Sequence, residues 1–141
     1  MASYRIRSLV WFVTIGGLTA SILVYLVFGF GISISYAVIA SAIFFSGFWG
    51  YVLGNPFGTF AKSKSKYKAM FLGAFISTLV VVTSVIFSIL AVATISGPIG
   101  QANNNSDVVL FAGIVLMVAI PITIPVGAVL GYIIHKPGDD D

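Results

Sequence analysis

The sequence predicts an all-α integral membrane protein whose four transmembrane helices form two consecutive hairpins, and three observations predict it. Apolar residues make up 59% of the chain and charged residues 8%, with a mean hydropathy of +1.10, outside the range of soluble domains. Four apolar runs, at about 9–30, 33–54, 69–95 and 108–134, each reach the roughly 20 residues needed to cross a hydrocarbon core about 30 Å thick. From Leu9 to Leu53 and from Ala69 to Ile134 the single charged residue is Asp107. At 141 residues the spans make one domain, 1–141.

The first run follows Arg5 and Arg7. It exceeds the roughly 7 to 15 apolar residues of a secretory signal, so it reads as a retained helix. Gly29, Phe30, Gly31 and Ile32 then allow a tight reversal, because glycine adopts backbone angles that other residues resist. In the second run the hydroxyls of Ser33, Ser35, Tyr36, Ser41 and Ser46 can be satisfied by carbonyls of their own helix or by a neighbouring helix. Asn55, Pro56 and Gly58 are read as its stop.

The linker Ala61 to Lys68 carries Lys62, Lys64, Lys66 and Lys68 and separates the two hairpins. The third run ends at Ser96, Gly97, Pro98 and Gly100, and a polar loop with Asn103 to Asn105 and Asp107 precedes the fourth. His135, Lys136, Pro137 and Asp139 to Asp141 read as a solvated tail, with His135 an interfacial residue rather than a ligand.

Charge sets the expected orientation. Arg5, Arg7, Lys62, Lys64, Lys66, Lys68 and Lys136 all fall on one side of the four-span arrangement, and the two opposite loops contain neither Lys nor Arg. By the positive-inside rule both termini and the lysine linker are cytoplasmic. Trp11, Trp49, Tyr51, Tyr67 and Tyr132 cluster near the same ends, as an interfacial aromatic belt does. The net charge of +3 is thereby assigned to topology and calls for no nucleic-acid partner.

Gly50-Tyr51-Val52-Leu53 followed by Pro56 resembles Gly131-Tyr132-Ile133-Ile134 followed by Pro137. A parallel duplication of the hairpin is one reading of this short match. The other is that Gly, Tyr and Pro each suit a membrane interface for separate reasons.

Small residues mark the expected packing faces. Ala42, Ser46, Gly50 and Gly54 recur every fourth residue in the second span, Gly127 and Gly131 in the fourth, and Gly17 and Ser21 in the first. Residues four apart share a helix face, so each set forms a strip along which another helix can approach closely, within the chain or in another subunit. Pro121 and Pro125 are expected to kink the fourth span and free carbonyls beside Thr123, the best candidate for a transport element.

No Asp, Glu, Lys, Arg, His, Asn or Gln lies within any predicted span, which argues against proton relays, ion-coupled transport and intramembrane hydrolysis. With no Cys, no Glu and one His, metal, thiolate and acid–base chemistry have almost nothing to use. The expectation is a non-catalytic accessory or assembly subunit of a larger membrane complex. It would have no catalytic, metal or cofactor site, with the lipid bilayer and other integral membrane subunits as its partners. The alternative is an oligomeric channel or small-solute transporter built around the kinked fourth helix.

Overall fold

The computed structural model describes residues 3–28, 33–95 and 102–135, with side-chain surroundings at 3–26, 36, 38–90 and 113–135. The turn expected at Gly29 to Ile32, the stop at Ser96 to Gly100, Lys136 and the terminal aspartates lie outside the described residues. Among the described residues there are five helices and no strand: α1 (Tyr4–Phe28), α2 (Ser33–Val52), α3 (Asn55–Lys62), α4 (Lys66–Ile95) and α5 (Ala102–His135). Tyr4–Leu26, Lys66–Leu90 and Gly113–His135 are long and apolar enough to cross a bilayer. The pair Val38–Val52 and Asn55–Lys62, bent by 50°, adds a fourth if counted as one span. By the length and composition of these helices the chain is a multi-pass membrane protein.

Several boundaries differ from the sequence expectation. Pro56 does not end a helix but sits in the first turn of α3, where its missing N–H costs nothing because the first turn has no acceptor for it. The lysine linker is therefore mostly structured: α3 runs through Lys62, and α4 starts at Lys66 with Ala69 N–H donating to Ser65 O at 3.3 Å. Lys64 bridges the two helices in the left-handed region at φ 53°. The α5 helix begins at Ala102, six residues before the expected start at Val108. At 34 residues it is about 51 Å long and must tilt or project.

The four long helices form a ring in the order α1, α2, α4, α5, with the α1–α5 seam the narrowest. Neighbours α1 and α2 are antiparallel, since Gly50 lies against Ser8, Leu9 and Phe12 while Gly17 lies against Ile43. The α4–α5 pair is likewise antiparallel, with Gly131 against Ala69 and Gly127 against Gly73 and Ser77. Between α2 and α4, Trp49 Nε1–H donates to Thr83 Oγ1 at 3.3 Å, and the rings of Phe45 and Phe87 meet edge-on at 5.6 Å. The seam between α1 and α5 is held by Arg7, whose guanidinium donates to Ile133 O at 3.2 Å. That carbonyl needs an outside donor, because four residues on stands Pro137, which has no N–H.

Helix α3 closes one end of the ring. Its Phe57 is fully buried with Phe12, Ala69, Ile76, Val80, Leu130 and Ile134 in the core cluster, and Gly58 lies against the ring of Tyr4. Arg5, Arg7 and the four lysines of 62–68 all gather at this end. Elsewhere the ring differs from a soluble bundle in that large apolar side chains such as Leu26, Phe71 and Met117 are exposed, while Ser8, Ser46, Ser84 and Ser88 are buried beside the apolar core. Lipid solvates large apolar side chains as well as a core does, so the interior goes to small residues that let backbones approach.

Candidate functional site

The small residues singled out from the sequence are placed inside the ring. In α2, Ser46 faces Gly16 and Gly50 faces Ser8 and Phe12; Gly54, beyond the end of α2 and capping α3, approaches the Cα of Arg5 at 2.9 Å from where a Cβ would stand. Ala42 is buried on the wall of a central cavity, and the hydroxyl of Ser21 donates back to Gly17 O at 2.8 Å. In α5, Gly127 and Gly131 receive the backbone of α4 so closely that a Cβ on Gly131 would overlap the carbonyl of Ala69. Gly73 and Gly16 were missed as packing positions, although Ala69, Gly73 and Ser77 carry the same four-residue spacing that flagged the other strips.

The central cavity has a volume of about 90 Å³ and lies between α1, α2, α4 and α5, its wall including Phe12, Ala42, Val80, Ala119 and Leu130. Its lining is almost wholly apolar, and such cavities stay dry. Of the hydroxyls on its wall, that of Thr123 is turned back to its own helix, donating to Ala119 O at 2.8 Å. Oγ of Ser46 and Oγ of Ser84 are buried with no hydrogen-bond partner. Among the described residues nothing makes a polar path across the ring.

The proline segment is oriented differently from the transport expectation. Helix α5 continues unbroken through Pro121 and Pro125, and both prolines are exposed on the outside of the ring with Met117, Ile122 and Ile124. Thr123 is buried on the opposite face. Each proline removes the donor for the carbonyl four residues earlier, so Met117 O and Pro121 O lose their helical partners on the outward side. Thr123 cannot serve them, since its hydroxyl is committed to Ala119 O.

Arg5, Arg7 and the lysines stand at the α3 end, where Arg5 lies over the Tyr51 ring with Cζ 5.6 Å from the centroid. His135, expected to be solvated, is instead buried at the end of α5 with neither ring nitrogen partnered. Helix α3, which the sequence reading did not include, packs against α1, α4 and α5. Among the described residues no group of three or more His, Cys, Asp or Glu could hold a metal ion. Comparison of the chain with protein-family models, curated proteins and solved structures finds no match.

Proposed function

We propose that the chain is a non-catalytic subunit of a larger membrane assembly, inserted as two hairpins with both termini and the α3–α4 turn cytoplasmic. The observation that carries this reading is the outward proline face of α5. Met117 O and Pro121 O lack helical donors on a surface that lipid would otherwise cover, and hydrocarbon offers no replacement. A neighbouring helix bearing a hydroxyl or amide donor would satisfy both and cover exposed Met117, Ile122 and Ile124. The small-residue strips of α2 and α5 are taken up by the chain's own helices, so assembly uses this larger-residue face instead.

The hairpin duplication gains support from the contacts. Ser8 and Gly16 of α1 meet Gly50 and Ser46 of α2; eight residues apart in the same way, Ala69 and Ser77 of α4 meet Gly131 and Gly127 of α5. Glycine and serine exchange sides between Gly16–Ser46 and Ser77–Gly127, while Gly50 and Gly131 keep the same side, and Arg5 and Arg7 precede Ser8 by the spacing at which Lys66 and Lys68 precede Ala69.

The test is a photo-crosslinking amino acid placed at Met117, at Ile124 and, as a control on the outside of α1, at Leu18. The expected result is one adduct of fixed size from the two α5 positions, comigrating with the chain in a mildly solubilised complex, and none from Leu18. Lipid adducts alone from all three would overturn the reading. So would ion or solute flux from the purified protein in liposomes that disappears in a folded Pro121→Ala, Thr123→Val, Pro125→Ala variant.

A further inference from the structure

Outside the ring, on the face where α3 meets α4, runs a groove of about 460 Å³ lined by Phe60, Tyr67, Lys68, Phe71, Leu72 and Phe75. Tyr67, Phe71 and Phe75 are four residues apart on one face of α4, so the groove follows that helix for about 12 Å from the lysine turn toward the bilayer. Tyr67 and Phe71 are 75% and 76% exposed. At its upper end the groove is cationic: Lys62, Lys64, Lys66 and Lys68 are all exposed, and no Asp or Glu occurs between Met1 and Ser106 to neutralise them.

The backbone of the turn that carries the lysines is bonded to α3. Ser65 N–H donates to Phe60 O at 3.0 Å and Lys64 N–H to Ala61 O at 3.2 Å, which ties the turn to the end of α3. Lys64 takes a left-handed conformation at φ 53°, which glycine or asparagine would accept more readily. Lys66 lies beside Tyr67, with Nζ 5.5 Å from the ring centroid, which keeps its charge near the mouth of the groove.

A cationic rim above an aromatic trough, at the lysine end of the candidate span Lys66–Leu90, matches one kind of ligand. We propose that this groove is a binding site for a single anionic phospholipid. Its phosphate sits at Lys68 with the other three lysines around it, and one acyl chain lies along Phe71, Leu72 and Phe75 against Phe60. Lysine near a membrane surface attracts acidic headgroups, and the apolar trough holds a chain that a free phosphate lacks. The inference is independent of what covers the proline face.

Native mass spectrometry of the full-length chain in mild detergent, titrated with phosphatidylglycerol or phosphatidylcholine of matched chains, tests it. The wild type should retain one phosphatidylglycerol in preference to phosphatidylcholine, and millimolar glycerol phosphate should not displace it. Lys68→Gln should weaken that binding about fivefold, Lys68→Arg should preserve it, and replacing all four lysines by Gln should abolish the headgroup preference. Phe71→Ala with Phe75→Ala should weaken both lipids. All these side chains are exposed, so unchanged helicity by circular dichroism serves as the folding control. Equal retention of the two lipids by the wild type, an undiminished preference in the four-lysine variant, or displacement by glycerol phosphate or by an acidic peptide would each overturn the proposal.

Discussion

Glycine at the helix crossings is where single residues decide this structure. A Cβ on Gly131 would overlap Ala69 O and stand 3.1 Å from Met70 Cα, and one on Gly73 would overlap Gly127 O. These neighbours are backbone and cannot swing aside, so the α4 and α5 axes would have to separate. Gly131→Ala is expected to cost about 1 to 3 kcal/mol, the usual range for overpacking. Gly113, with nothing within 4 Å of its hypothetical Cβ, supplies the contrast. Gly113→Ala should be neutral or stabilise by up to about 1 kcal/mol through helix propensity alone. Unfolding of the two variants in the same detergent measures the difference, and equal stability would refute the close α4–α5 crossing. Gly50→Leu should likewise lose more than Val52→Leu, since Gly50 is buried against Ser8 and Phe12 and Val52 is 46% exposed.

The elements divide into those that carry hydropathy and one that carries geometry. Helix α3 is only 8 residues long, too short to be stable alone, and it is held by the burial of Phe57 and by Tyr4 against Gly58. Its presence turns the lysine linker from a flexible tether into a tight turn with defined charge positions. Under the proposed orientation that turn is cytoplasmic, which cysteine labelling can check because the native chain contains no Cys. A single Cys at Ser65 should react in intact cells only with a membrane-permeant reagent, and one at Asn104 should react with an impermeant reagent. The opposite pattern would invert the topology.

As a whole molecule, the ring is tightly closed at the α3 end and loosely packed along its axis. The 90 Å³ cavity beside Ala42, Ala119 and Val80 leaves its walls without dispersion partners on one side. Filling it should stabilise: Ala42→Val adds two methyl groups into this space, and cavity filling commonly contributes about 0.5 to 2 kcal/mol. Raised thermal stability in detergent is the expected readout. A loss comparable to that of Gly131→Ala would mean that Ala42 is a close-packed contact rather than a cavity wall.

The sequence by itself determined that this chain is helical and belongs in a bilayer, because hydrocarbon admits only long apolar segments whose backbone bonds are satisfied internally. It also located the cations, whose charges cannot enter hydrocarbon, and the small strips, whose spacing is visible in the residues themselves. Only the tertiary structure decided what those features face. A helix that is apolar all round has no stripe to tell inside from outside, so the outward placement of Pro121 and Pro125 and the inward placement of Thr123 could not be read from hydropathy. Helix α3 escaped for a related reason: Pro56 is compatible both with ending one helix and with starting the next, and burial of Phe57 in the ring selects the second. In lipid, facing is chosen by close packing between particular side chains and backbones, and those contacts exist only once the helices have come together.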